Sequence, residues 1–227
     1  MSAEAVVICI DGPSGVGKGT LSRSLASRLG WQLLDSGALY RTVGFACHEQ
    51  GVALDDERGA RGVAEALRVQ FKPSSEGVLV ILDGRDITAA IRTEEGGQGA
   101  SAVAAMPAVR EALLARQRGM ALPPGLVADG RDMGTVVFPE AKLKLFLTAS
   151  AEARAERRLR QLQPTDDSVS LARLLEALEQ RDARDQARSA SPLVPASDAL
   201  VMDSTALSAD EVLSEAWELV VARGLAK

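Results

Sequence analysis

The sequence predicts an α/β fold, a parallel β-sheet core flanked by helices. Three observations carry the prediction. Short continuous apolar runs alternate with helical stretches, the pattern of strands buried on both faces of a parallel sheet. The first run, Ala5–Ile10, passes directly into a Gly-rich turn and then a helix. The 227 residues are 46% hydrophobic, enough to bury the core of one α/β domain with a small appended one. With four Phe, two Trp and one Tyr, that core is left to Leu, Val, Ile and Ala.

Each element follows in order. After the turn at 12–19, Leu21, Leu25 and Leu29 recur at i, i+4, i+8 and predict a helix over 20–29. Trp31–Leu34 is a second short strand and Ser36–Gln50 a second helix, with Ser36 a candidate cap. Residues 63–95 break the rhythm. A helix-like piece precedes strands at Arg68–Phe71 and Val78–Leu82, joined through Pro-Ser-Ser-Glu-Gly, and Asp83-Gly84 makes a second turn. This reads as a small β-rich insertion with a hairpin. Glu94–Gly99, with three glycines, reads as a flexible hinge back to the main domain. Ala100–Leu114 reads as a helix-opening stretch with Pro107 suited to a first turn. Leu126–Ala128 and Leu143–Leu147 are further strands, and Ser150 can cap the helix after the second. A helix over about 170–188, a strand at Leu200–Met202 and a capping box at Ser208 and Glu211 complete the reading.

Composition narrows the function. A net charge of −5 argues against a general nucleic-acid coat. Two Cys and one His leave no disulfide framework, no His-based metal site and no Ser-His-Asp triad. No apolar run is long enough for a membrane span, and the N-terminus reads into a strand without a basic leader. The expectation is a cytoplasmic protein with no membrane or nucleic-acid partner. Of the 26 basic residues, 21 are Arg, an excess a GC-rich genome explains in part and phosphate binding explains in part.

The phosphate chemistry has a clear origin. Gly12-Pro13-Ser14-Gly15-Val16-Gly17-Lys18-Gly19-Thr20 lies between a buried strand and a helix. Glycines let the backbone curl with N–H groups inward, the helix N-terminus adds partial positive charge, and Lys18 reaches the terminal phosphates. This is a P-loop, and it predicts a P-loop NTPase fold. The general pattern places Ser or Thr directly after the Lys to hold Mg²⁺. Here that position is Gly19 and the hydroxyl comes at Thr20, an ending similar to nucleoside monophosphate kinases. No guanine-reading signature is present.

Further charges gather where strands end. Ser36 and Arg41 open the second helix. Asp129-Gly130-Arg131-Asp132-Met133-Gly134 closes a core strand, at the edge where such sheets bind ligands, and Asp129 can order Mg²⁺ through water. Arg154, Arg157 and Arg158 form one cationic helix face. Leu171, Leu174, Leu175 and Leu178 form an apolar stripe that runs into Asp182 and Asp185, with Arg181 and Arg188 alongside. A helix face that turns from apolar to doubly charged is leaving the core for a polar cavity.

Ile10–Gly15, Leu34–Arg41, Ala128–Thr135 and Arg188 with Ser191-Pro192-Leu193 occur in an order and spacing that resembles bacterial cytidylate kinases, over about residues 5–221. The resemblance implies transfer of the γ-phosphoryl group of ATP to CMP or dCMP with Mg²⁺. It implies a kinase core over 1–62 and 96–227, with a lid at about 152–168 and a nucleotide-binding insert at 63–95. Ser101, Arg110 and Asp132 would read cytosine. Tyr40, Arg181 and Asp185 would surround the ribose. Ser36, Arg41, Arg131 and Arg188, with Gly130 beside them, would hold the CMP phosphate, and Arg157 and Arg158 would lie over the transferring phosphoryl group. The catalytic set would be Lys18, Arg131, Arg157, Arg158 and Arg188. Gly96–Gly99 departs from the less Gly-rich segment expected before Ser101. Two alternatives stay open: a kinase for another monophosphate such as UMP or AMP, and a nucleotide-binding switch. Nothing in the sequence suggests an obligate interface, so a monomer is expected.

Overall fold

The structure is a computed structural model that describes residues 5–74, 77–162, 170–188 and 191–226. The chain forms two compact units, Met1–Leu34 with Met120–Lys227, and Asp35–Gly119.

The first unit carries the main sheet. Its strands are β1 (Val6–Asp11), β2 (Gln32–Asp35), β6 (Gly125–Asp129), β7 (Leu143–Thr148) and β8 (Leu200–Asp203), in the order β2-β6-β1-β7-β8. β1 runs parallel to both β6 and β7, and β7 runs parallel to β8. Registers of Ile10 with Asp129, Asp11 with Phe146 and Thr148 with Asp203 bring the carboxyl ends of four strands to one edge. The helices of this unit are α1 (Lys18–Leu29), α7 (Ala151–Leu162), α8 (Leu171–Gln186) and α9 (Ala209–Ala222). Ile8, Ile10, Val127, Leu143, Leu145 and Leu147 are fully buried and pack with Leu21 and Leu25 of α1 and Ala216 and Val220 of α9. The aliphatic strands that lack alternation are thus those covered by helices, as the composition requires.

The caps follow sequence rules. Ser150 Oγ accepts from Ala153 N at 3.2 Å at the start of α7. The Ser208–Glu211 capping box is complete in both directions. On α8, Leu174 and Leu178 are buried while Leu171 is exposed, so the apolar stripe begins one turn later than the sequence pattern placed it.

The second unit joins α2 (Ser36–Glu49), α3 (Glu57–Ala66), β3 (Val69–Ser74), β4 (Gly77–Leu82), β5 (Arg85–Asp86), α4 (Thr88–Ile91), α5 (Glu94–Ala104) and α6 (Pro107–Arg118). The three strands form an antiparallel sheet in chain order. Asp83 and Gly84, with φ of 47° and 83°, make the tight turn between β4 and β5, which suits an Asp-Gly pair. Of the linker Pro73–Gly77, residues 75–76 lie outside the described residues, as do residues 163–168 of the expected lid.

Three expectations are corrected here. Asp35, not Ser36, is the N-cap of α2, its carboxylate accepting from Ala38 N at 2.8 Å while Ser36 is the first helical residue. The glycines of 96–99 are not a hinge. They lie inside α5, which Thr93 caps. Gly99 faces Gly44 of α2, where a Cβ on Gly44 would sit 3.0 Å from the Gly99 carbonyl carbon. The glycines therefore let two helix backbones approach closely, and Ser101 is presented from a helix. The stretch Ala100–Leu114 is two helices, broken at Ala105-Met106 because Pro107 disfavours helical geometry in the residue before it.

Among the described residues, no helix is long and apolar enough to cross a membrane.

Candidate active site

The loop between β1 and α1 has the geometry of a phosphate cradle. Gly12, Gly15 and Gly17 have φ of 143°, 81° and 99°, which side-chain-bearing residues rarely adopt. Gly12 is also required by space, since a Cβ there would run into the Leu147 carbonyl of β7. Gly17 ends the loop in a left-handed conformation and α1 begins at Lys18, so the N-terminus of α1 faces the loop interior.

Lys18 is buried, and its Nζ donates to Pro13 O at 2.7 Å. Burial, and then the guanidinium groups of Arg131 and Arg181, push its pKa from 10.5 down to about 7, against the pull of Asp129 and Asp11. Such crowding of cations is the electrostatic signature of a site built for polyanions.

Two of those cations are held by one carboxylate. Asp185 of α8 is buried, and Arg131 Nε donates to its Oδ2 at 3.0 Å. Arg188 Nη2 donates to the other oxygen, Oδ1. Burial works against the Asp185 carboxylate, but Arg131 and Arg188 beside it hold its pKa below the usual range. Asp185 thus fixes two guanidiniums side by side, which suits Arg forks meeting phosphate oxygens. The turn that carries Arg131 is built from β1. Asp11 Oδ1 accepts from Met133 N at 2.9 Å, and Oδ2 accepts from Gly134 N at 2.8 Å. A single π-helical turn, Met133–Val137, follows, and Val136 N and Val137 N donate to the main-chain oxygen of Asp132. Asp132 itself is buried, and Gly130 N donates to Ile10 O at 3.0 Å.

The cationic face of α7 divides. Arg154 is buried, donates to Ser14 O at 3.1 Å and pairs with Asp182 Oδ2 at 2.6 Å. Arg157 donates to Val16 O at 3.4 Å, to Ser204 Oγ at 3.2 Å and to Ser204 O. Arg158 donates to Gln161 Oε1 at 3.4 Å on the exposed side of α7. Arg181 Nη1 reaches Ser14 Oγ at 3.4 Å.

Asp129 ends β6, and its Oδ2 lies 3.5 Å from where a Cβ on Gly19 would stand. Among the described residues no three His, Cys, Asp or Glu side chains cluster to hold a metal. One carboxylate beside the start of α1 nevertheless fits Mg²⁺, which keeps several waters and shares its remaining positions with substrate phosphates. Thr20 Oγ1 lies 3.4 Å from Arg23 Nη2.

The remaining predicted site residues lie in the second unit. Ser36 and Tyr40 are buried on α2. Arg41 Nη1 donates to Ile91 O at 2.9 Å and Thr93 O at 3.1 Å. The Arg110 guanidinium stands 5.7 Å over the Tyr40 ring and donates to Ala104 O at 3.3 Å. Ser101 is buried on α5, and its Oγ has no hydrogen-bond partner among the described residues. A buried hydroxyl in that state is costly unless a ligand satisfies it.

Sequence reasoning gave no role to Asp11, Asp182 or Ser204, and Arg154 entered only as part of a cationic face. Asp182 had a signal in the polar end of the α8 stripe. Asp11 and Ser204 had none: the partners of Asp11 lie more than 120 residues away, and those of Ser204, which are Val16, Thr148 and Arg157, lie 188, 56 and 47 residues away.

The family model for cytidylate kinase matches residues 8–222. The chain is 56% identical over 222 residues to the cytidylate kinase of Stutzerimonas stutzeri (strain A1501), covering 97% of each chain. It is 55% identical over 228 residues to that of Pseudomonas fluorescens (strain Pf0-1), covering the whole of both. With that of Aeromonas hydrophila subsp. hydrophila it shares 56% over 213 residues, 94% of this chain and 93% of the relative.

Proposed function

The chain belongs to the cytidylate kinase family, and from that premise we infer that it transfers the γ-phosphoryl group of ATP to CMP or dCMP, releasing ADP with CDP or dCDP. The observation that carries the reading is the convergence of Lys18, Arg131, Arg181 and Arg188 at the carboxyl edge of the sheet, beside a phosphate-binding loop.

The chemistry needs no general base. The acceptor phosphate has a second pKa near ~6, so at neutral pH it is already largely a dianion. The obstacle is bringing two polyanions together, and catalysis comes from positioning and from cations aimed at the charge in transfer. Lys18 and the main-chain N–H groups of residues 14–20 hold the ATP phosphates. Arg131 and Arg188, aligned by Asp185, and Arg41 with Ser36 hold the acceptor phosphate, and the family resemblance assigns Arg157 and Arg158 to the transferring group, with Arg157 bonded to Val16 O and Ser204 in this structure. Asp129 would hold Mg²⁺ through water, and the ion would supply charge neutralisation to the donor phosphates.

Selectivity follows from hydrogen-bond sense. Cytosine offers an amine donor at N4 and an acceptor at N3, and uracil reverses both. Asp132 accepts from N4 and opposes the uracil oxygen. Arg110 and Ser101 belong to the same set, a role supported by the unsatisfied Ser101 hydroxyl. Tyr40, Arg181 and Asp185 are assigned to the ribose. Residues 63–95 are the nucleotide-binding insert and about 152–168 the lid of a core formed by 1–62 and 96–227. A cytoplasmic monomer completes the proposal.

A panel of acceptors with ATP and Mg²⁺, followed by ADP release, tests it. CMP and dCMP are expected to turn over far faster than UMP or AMP, and Asp132→Ala to lose CMP activity and narrow the CMP/UMP gap. Equal turnover with UMP or AMP overturns the acceptor assignment. Absence of acceptor-dependent ADP release overturns the kinase reading in favour of a nucleotide-binding switch.

A further inference from the structure

The phosphate loop is held from outside as well as from within. Three of its carbonyl oxygens each accept from a different cation: Pro13 O from Lys18 Nζ at 2.7 Å, Ser14 O from Arg154 Nη1 at 3.1 Å and Val16 O from Arg157 Nη1 at 3.4 Å. A trans peptide is a rigid plane whose C=O and N–H point in opposite directions. A donor that pins a carbonyl on one side of the loop therefore aims the next residue's N–H to the other side. Pinning Ser14 O orients Gly15 N–H, and pinning Val16 O orients Gly17 N–H. The glycines at 15 and 17 leave the loop conformationally soft, so the direction of these groups must be set by something external.

Arg154 is the best fixed of the three. It is buried, and its second terminal nitrogen pairs with Asp182 of α8 at 2.6 Å. Its Cβ stands 3.2 Å from where a Cβ on Gly15 would sit, so its stem lies directly against the loop. Arg181, the neighbour of Asp182, reaches Ser14 Oγ at 3.4 Å. Both α7 and α8 therefore meet the loop at Ser14.

We propose that Arg154, held by Asp182, is a positioning residue for the ATP phosphates: it pins the Ser14 carbonyl outward and so aims the Gly15 N–H at the bound nucleotide. The inference rests on the kinase reading, but it concerns the donor side alone. A planar fork serves both Ser14 O and Asp182, and a Lys ammonium at the same place cannot reproduce that geometry.

The experiment compares Arg154→Lys and Asp182→Asn with the wild type. Dissociation constants for ADP with Mg²⁺ are measured by direct titration, and KM values for ATP and CMP are measured separately. A lost charge-assisted hydrogen bond predicts an ADP constant raised about tenfold in Arg154→Lys and about threefold in Asp182→Asn. The CMP KM is expected to stay within about twofold, the spread of a site not directly touched. Unchanged ADP affinity in folded variants, or parallel losses for both nucleotides, overturns the proposal. Should Arg154→Lys fail to fold, the near-isosteric Asp182→Asn carries the same donor-against-acceptor comparison. The ADP titration does not depend on which acceptor is phosphorylated, so failure of the CMP assignment and failure of this inference give different results.

Discussion

Asp11 illustrates how much of the site rests on single residues that hold its main chain in place. It ends β1, and each of its carboxylate oxygens accepts one main-chain N–H from the turn that carries Arg131 and Asp132. Burial raises its pKa from 3.8 to about 6, against the hydrogen bonds from Gly134 and Met133 that favour the charged form. An Asn offers one acceptor and one donor, so one of the two N–H groups would face another donor. Asp11→Asn is expected to lower kcat/KM for CMP by roughly tenfold or more, the effect of a buried polar mismatch. The pH dependence has a definite sign. Because the folded pKa lies above the unfolded one, the stability contributed by Asp11 is fully present below about pH 4. It declines as pH rises through about 6. The difference in unfolding free energy between wild type and Asp11→Asn, from urea titrations, should therefore shift against the wild type between pH 4 and pH 7. A flat difference would show that burial does not control this carboxyl. The sequence placed Asp11 only within the Ile10–Gly15 motif and gave it no role, since its partners lie 122 and 123 residues away. Asp185 was legible as part of a charged helix face with Arg188 alongside, but its other partner, Arg131, was not, because Arg131 comes from the far end of β6.

At the scale of elements, local rules were read well where the signal was local. The buried strands, the Asp-Gly turn and the Ser208 capping box all lie within a few residues of their own determinants. The glycines of α5 were misread because a loose hinge and a tight helix pair have the same composition, and the partner, Gly44, lies in another helix. Their packing makes an asymmetric prediction. A Cβ on Gly44 would meet the Gly99 carbonyl carbon at 3.0 Å and Ala100 N at 3.3 Å, both rigid backbone atoms. A Cβ on Gly99 would stand 3.7 Å from Gly44 Cα and 3.9 Å from Leu54 Cδ1, ordinary contact distances. Gly44→Ala is therefore expected to destabilise by about 1–3 kcal/mol, as overpacking does. Gly99→Ala is expected to be neutral or to stabilise by up to about 1 kcal/mol, since Ala is the better helix former. Denaturant unfolding of the two variants decides the matter, and equal losses would mean that the helices do not meet at this pair.

The whole molecule is acidic, with a net charge of −5, yet its cations converge on one edge of the main sheet. The Arg excess is only partly a matter of composition, because Arg131, Arg154, Arg157, Arg181 and Arg188 all bond loop or carboxylate partners at that edge. Their positions were legible in the sequence. Which carboxylate restrains which guanidinium was not, because that depends on how distant helices return to the sheet. The crowding has a consequence for ligand binding. A pKa lowered to about 7 by burial and by Arg131 and Arg181 predicts that Lys18 gives up much of its charge by pH 8. The contribution of Lys18 to stability accordingly becomes more favourable as pH goes from about 7 toward 10, since the unfolded chain keeps the Lys18 proton longer. The ATP phosphates bring opposite charge to the same place and restore the ammonium form. Binding of ATP at pH 8 is therefore expected to take up close to one proton. Calorimetric titrations in HEPES and in Tris, which differ in ionisation enthalpy, measure that number directly. Lys18→Met should remove the uptake, whether or not some nucleotide affinity survives. Identical binding enthalpies in the two buffers for the wild-type protein would mean that Lys18 is already charged before nucleotide arrives, and that the neighbouring guanidiniums do not control it.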